Sequence, residues 1–210
     1  MADRTPISAA LVDDPRLFDT AESFLGRAVV PLPAEGVLYI REAGWHFDDG
    51  IGITGLKLAL YLEPLSAATG ALRLLALSQR PEVRRQLKCY RADHACAATT
   101  RALADQMAAF PFCPEKSEPG DAVIFDLHTW HASAGGRNRL AWTVDYLAVP
   151  HEAEARRRLL RYAADHHDQT GRGFDHHRYP LWRDWIAPAG HNRLRALCGT
   201  NCARRDSKGS

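Results

Sequence analysis

The sequence predicts a mainly β fold, a β-sandwich or jelly roll flanked by α-helices. Two observations carry this expectation. Several short strand-like runs are separated by turn signals rich in Gly, Pro and Asp, with helical patterns towards both ends. The runs do not alternate regularly with helices, as a doubly wound parallel sheet would require.

Taken in order, the N-terminal stretch is expected to be helical, with Asp14 as its cap, Pro15 in its first position and Gly26 at its end. Val37–Ile40 is the first strand-like run. Leu56–Leu62 is clearer, because Leu56, Leu58, Leu60 and Leu62 alternate with Lys57, Ala59 and Tyr61. Glu63–Gly70 is a turn region, and Ala71–Leu77 is the next strand. Pro81–Leu87 and Thr100–Ala109 have helical patterns. Pro119-Gly120-Asp121 is a strong turn signal, and Ala122–Trp130 follows as a strand. After a loop at Ala134–Asn138 comes a strand at Arg139–Val149, then an amphipathic helix at Glu152–Ala164. The remainder is aromatic and His-rich. No repeat or linker divides the chain, so residues 1–203 are expected to form a single domain, with 204–210 a disordered polar tail.

The 210 residues are 46% hydrophobic and 25% charged, an ordinary balance for a globular chain. A net charge of +2 is too small for the basic footprint of a nucleic-acid binder. No apolar run reaches the length of a membrane helix. The start, Met1 to Pro6, lacks the charged-then-apolar pattern of a secretory leader. Five cysteines without framework spacing suit free thiols in a reducing compartment. The expectation is a cytoplasmic protein.

Three segments could carry chemistry. In Gly44-Trp-His-Phe-Asp-Asp-Gly50, an extended backbone would point His46 and Asp48 to the same side. An imidazole and a carboxylate aimed at one point are two arms of a two-His-one-carboxylate iron site. A second such tripeptide, His166-His167-Asp168, sits at the end of a predicted helix, where residues two apart diverge, and is set aside. In Pro119–Ser133, strict alternation places Val123, Phe125, Leu127, Thr129, His131 and Ser133 on one face and Asp126, His128 and Trp130 on the other. His131 therefore belongs to the core-facing set. In the next strand Arg139, Ala141 and Thr143 share a face, where a guanidinium among small neighbours could take a carboxylate in bidentate fashion and Ser133 could add a bond. Each segment alone also fits a plainer reading: an incidental pair in a solvated turn, a core histidine bonded to a carbonyl, a surface arginine. Their order and spacing are what join them.

In that order and spacing the chain resembles the phytanoyl-CoA dioxygenase-like family of Fe(II)/2-oxoglutarate oxygenases, over about Ser23 to Val149. Gly44-Trp-His-Phe-Asp48 is similar to the family's Trp-His-x-Asp. Leu58–Leu65 with Thr69-Gly-Ala-Leu-Arg73 is similar to its next strands and turn. Pro119–Asp126 leading to His131-Ala-Ser133 is similar to its distal segment, and Arg139 stands where the family keeps its co-substrate arginine. The chain departs from the pattern at Ala76-Leu-Ser-Gln79, where the family commonly has Pro-Gly-Ser-His. It also has a shorter region before His46 and a shorter step from His131 to Arg139, which keeps Arg137 in view as the anion contact.

The resemblance implies a double-stranded β-helix of the jelly-roll and cupin type. It implies that His46, Asp48 and His131 bind Fe(II), and that 2-oxoglutarate chelates the iron and extends its far carboxylate to Arg139 and Ser133. It implies an O₂-dependent oxidation of a small molecule with release of succinate and CO₂. Related halogenases lack the carboxylate ligand, so Asp48 points to hydroxylation or another oxidation and not to halogenation. Trp45 and Trp130 are candidates to wall the site, Lys57 and Arg73 to meet an anionic substrate, and Asp126 or His128 to orient a ligand. No nucleic-acid or membrane partner is expected, and the chain is expected to be a monomer or homodimer. One rival is a cupin-like isomerase or binding protein that keeps the metal ligands and has no use for Arg139. Another is a zinc module built from His176, His177, His191, Cys198 and Cys202, whose spacing fits no standard zinc pattern.

Overall fold

The computed structural model describes residues 5–12, 14–32, 34–48, 52–94 and 110–165. The expected helix at Thr100–Ala109, the His166–Asp168 tripeptide, the C-terminal His and Cys residues and the polar tail lie outside the described residues. The described chain divides into two compact units, one spanning Glu35–Asp145, the other formed by the residues before and after it.

The Glu35–Asp145 unit is built from two antiparallel sheets. The larger runs in the order β2 (Glu35–Tyr39), β9 (Arg139–Ala148), β4 (Gly55–Tyr61) and β7 (Ala122–Asp126). The smaller runs β3 (Ala43–His46), β8 (His131–Ser133), β5 (Leu72–Leu74) and β6 (Cys113–Glu115). Successive strands pass from one sheet to the other, except β5 and β6, which pair with each other. This is the double-stranded β-helix that the resemblance implied. β4 lies between β9 and β7, and both its faces are buried: Leu56 and Leu58 on one side, Ala59 and Tyr61 on the other. Between the sheets Ala59, Tyr61, Leu65, Ala71 and Ala141 form a core edged by Tyr39 and Val123. Outside the smaller sheet, α3 (Pro81–His94) contributes Leu87 to a second core with Trp45, Trp130 and Ala132.

The other unit contains α1 (Pro6–Val12), α2 (Pro15–Leu25), β1 (Val29–Pro31), the end of β9 from Tyr146, and α4 (Ala153–Asp165). α2 begins and ends as its sequence predicts. Asp14 accepts a hydrogen bond from the Arg16 amide at 2.9 Å, Pro15 opens the helix, and Gly26 closes it in the left-handed conformation at φ 65°. Phe18 meets the Tyr146 ring edge-on at 5.3 Å, and the Tyr146 hydroxyl donates to the Val12 carbonyl.

Three boundaries differ from expectation. The run through Ala122–Trp130 is not one strand. It turns after Asp126, where the Thr129 amide bonds the Asp126 carbonyl at 2.8 Å and the Asp126 side chain accepts from the His128 amide at 2.7 Å. His131 therefore belongs to a different sheet from Phe125. The strand expected at Ala71–Leu77 ends at Leu74, and Leu77 has φ 65°. The helix expected at Pro81–Leu87 continues to His94.

Candidate metal centre and anion pocket

His46 ends β3 and His131 opens β8, and the two are cross-strand partners. Their alignment depends on an irregularity. Ala43 pairs with Ser133 and His46 with His131, so β3 spends one residue more than β8 over the same span. A bulge of this kind re-aims a side chain. Without it, Trp45 would face His131 and the imidazole would turn to the opposite side of the sheet. Asp48 follows just beyond β3, its amide bonded to the Leu127 carbonyl at 3.0 Å.

The three side chains converge. His46 Nε2 lies 3.7 Å from Asp48 Oδ1, and His131 Nε2 lies 3.5 Å from Asp48 Oδ2. One donor atom from each falls within 4.8 Å of the others, so the group could hold a metal ion. The opposite ring nitrogens are occupied. His46 Nδ1 bonds the Gly44 carbonyl at 2.7 Å, and His131 Nδ1 bonds the Thr129 carbonyl at 2.9 Å. A carbonyl only accepts, so each Nδ1 carries the proton and each Nε2 offers a lone pair. Burial, helped by His46 beside it, brings His131 down to about 4. It is thus neutral at pH 7, as a metal ligand must be.

Lys57, expected from the sequence to meet an anionic substrate, is instead paired with carboxylates of the protein itself. Its ammonium lies 2.8 Å from Asp48 Oδ2 and 3.6 Å from Asp145 Oδ1. Burial disfavours the charge on Asp48, but Lys57 and, to a smaller degree, the histidines outweigh it and hold the carboxyl below its usual range. Burial likewise works against the Lys57 ammonium, and Asp145 and Asp48 together raise it above its usual range. Asp145 itself is pushed up to about 6 by burial. The signal available in the sequence was parity: Asp145 continues the Arg139, Ala141, Thr143 face of β9.

Arg139 opens β9 and is 3% exposed, whereas Arg137 is exposed in the preceding loop. Arg139 Nη1 donates to the Gly70 carbonyl at 2.8 Å, Nη2 donates to the Arg41 carbonyl at 3.2 Å, and the guanidinium lies 5.3 Å from the Tyr39 ring centre. Its Nε is buried and has no partner among the described residues. Ser133 Oγ donates to the same Gly70 carbonyl at 2.9 Å. Ser133 and Arg139 are thus brought to one point, and a buried N–H without an acceptor is a place for an anion. Gly70 makes this approach possible: at φ 96°, a Cβ there would meet Arg139 Cδ at 2.7 Å.

Other expectations are placed differently. Trp45 and Trp130 stack parallel, 6.4 Å apart, in the core that includes Leu87 of α3. Arg73 pairs in register with Ala132 and lies 4.6 Å over Phe112, so it is on the outer face of the smaller sheet. Strand alternation sends Leu72 and Leu74, not Arg73, to the inner face. Asp126 and His128 bond one another at 3.0 Å, and the imidazoles of His46 and His131 are oriented by backbone carbonyls instead.

Residues 35–139 match the family model described as Phytanoyl-CoA dioxygenase (PhyH). No curated protein sequence matches the chain. Among solved structures, AviO1 from Streptomyces viridochromogenes Tue57 is 22% identical, with 71% of this chain and 66% of that one covered and a TM-score of 0.51. EctD from S. alaskensis with bound Fe is 23% identical, with 70% and 55% covered and a TM-score of 0.52. EctD is also known with 2-oxoglutarate and 5-hydroxyectoine. SnoN, a non-heme α-ketoglutarate-dependent epimerase from nogalamycin biosynthesis, is 16% identical, with 69% and 57% covered and a TM-score of 0.51. This chain spans less than two thirds of the length of each. Likeness at these identities establishes the fold.

Proposed function

The chain belongs to the phytanoyl-CoA dioxygenase family, and on that premise we propose that it is a non-haem Fe(II)/2-oxoglutarate-dependent oxygenase that hydroxylates or otherwise oxidises a small molecule. The observation that carries the proposal is the set His46, Asp48 and His131, with each Nε2 freed by a carbonyl behind its ring. Two imidazoles and one carboxylate on one side of a point suit ferrous iron and leave positions open for a co-substrate.

The surrounding charges fit the pair of cofactors. Asp48 and Asp145 carry two negative charges, and Lys57 and Arg139 two positive ones. A divalent cation and a dianionic keto acid would therefore enter a site that is already balanced and leave it balanced. In this reading His46, Asp48 and His131 hold the iron, Arg139 takes the far carboxylate, and Ser133 adds a hydroxyl bond. Bound together with O₂, the metal and the keto acid supply an oxidant, with succinate and CO₂ released. The residues of the chain hold and orient these groups, and Tyr39 and Val123 edge the space between the sheets. Asp48 fills the position that a halide would need, which supports oxidation without halogenation. No helix among the described residues is long and apolar enough to cross a membrane.

The cupin-like alternative has one observation in its favour: Arg139 already donates to two backbone carbonyls. The test is to add Fe(II) to the protein without oxygen, then 2-oxoglutarate, and record the visible spectrum. A charge-transfer band that needs both additions is the expected result. Iron binding without such a band would favour the alternative.

A further inference from the structure

We propose that Lys57 is a positioning residue for Asp48. Its ammonium occupies one carboxylate oxygen, so that Asp48 offers the other to the metal as a single-point ligand, and Asp145 holds Lys57 in place. The proposal rests on the reading of His46, Asp48 and His131 as iron ligands.

An ammonium between two β-sheets is costly unless its charge and its donors are met. Among the described residues Lys57 meets this condition through carboxylates: Asp48 Oδ2 at 2.8 Å and Asp145 Oδ1 at 3.6 Å. The main chains on both sides are fixed. Lys57 is in mid-strand, paired in register with Phe125, whose ring packs 4.9 Å from His131. The Asp48 amide is tied to Leu127. What remains free is the rotation of the Asp48 carboxylate, and that is what the ammonium governs.

The consequence lies in the number of positions left on the metal. A carboxylate can bind a cation through one oxygen or through both. Bound through one, Asp48 and the two histidines leave three positions of an octahedron, enough for a chelating keto acid and O₂. Bound through both, Asp48 would take one of those three. A lysine that merely satisfied two buried acids would have no bearing on this choice.

The test uses Fe(II) alone, added anaerobically to the full chain, with infrared difference spectra of loaded minus metal-free protein. The gap between the antisymmetric and symmetric carboxylate stretches is wide for one-oxygen binding and narrow for two-oxygen binding. Wild type and Lys57→Arg are expected to show the wide gap, and Lys57→Met the narrow one. The double variant Lys57→Met/Asp145→Leu removes one buried charge of each sign and does not leave Asp145 unpaired, so it perturbs the fold less than Lys57→Met alone. It too should show the narrow gap. An unchanged wide gap in the double variant, while His131→Ala still loses iron, would overturn the role of Lys57 alone. Iron bound as tightly by His131→Ala as by wild type would overturn the metal-centre reading and this proposal with it.

Discussion

His46 and His131 face one another across the antiparallel β3–β8 pair, with ring centres 4.2 Å apart. Neighbouring strands thus bring together two residues 85 positions apart in sequence, and each ring is anchored by a carbonyl two residues before it. His131→Ala removes one of the proposed ligands and leaves this framework in place. Fe(II) affinity should fall by more than the roughly 10–100-fold that loss of an outer partner costs. Anaerobic titration of the metal against folded variant and wild type measures it.

Arg139→Ala should separate the two binding events. Arg139 touches none of the three proposed ligands, so Fe(II) affinity should stay close to that of wild type. The loss of a buried, charge-assisted partner for a carboxylate costs about 1.5–3 kcal/mol, which is roughly 10–150-fold in 2-oxoglutarate affinity. Arg139→Lys should recover only part of it, because an ammonium lacks the planar fork. Arg137→Ala should leave the keto-acid affinity unchanged. Calorimetric titration of 2-oxoglutarate into the iron-loaded protein reads all three.

The sequence made much of this site legible, for reasons that differ between residues. His46 and Asp48 could be read because the chain there is extended and both lie within one short segment. Asp14, Pro15 and Gly26 bound α2 through local chemistry alone, so that helix was visible residue by residue. His131 was placed on the correct side by an alternation that the chain does not follow. The turn at Asp126–Thr129 takes His131 into the other sheet, and the Asp126 side chain that accepts the His128 amide was the local sign of it. The Lys57–Asp145 pair was illegible because it joins β4 to β9, and face parity within each strand does not say which strands are neighbours. The displacement of Arg73 has the same origin: its inward or outward direction depends on the register with β8, which only the sheet reveals.

Gly70→Ala should act on the co-substrate and spare the metal. The residue has φ 96°, and a Cβ would meet Arg139 Cδ at 2.7 Å and Nε at 2.9 Å. Both the backbone strain and the displaced guanidinium count against it, at about 1–3 kcal/mol of stability. Fe(II) affinity should be close to that of wild type, and 2-oxoglutarate affinity should approach that of Arg139→Ala. Equal keto-acid affinity in Gly70→Ala and wild type would show that Arg139 is not held by this contact.

The metal-free protein should lose stability as pH rises through the range in which Asp145 ionises. Burial raises this carboxyl from an ordinary 3.8 to about 6 in the folded chain. Between those values the folded state binds more protons than the unfolded state, so the contribution of Asp145 is fully present below about 3.8 and is lost as pH rises through about 6. The rise from 3.8 to about 6 sets an upper bound of about 3 kcal/mol. Asp145→Asn cannot ionise and should lack this component, although it also removes a partner of Lys57. The ion pair with Lys57 forms only as Asp145 ionises and is already counted in the value of about 6, so only the change of packing and of uncharged hydrogen bonds adds an offset that is constant with pH. Urea unfolding of wild type and Asp145→Asn at several points from pH 4.5 to 7.5 isolates the difference. It should decline with pH in favour of the variant, and a difference that is flat across this range would mean that Asp145 ionises as readily in the folded chain as in the unfolded one.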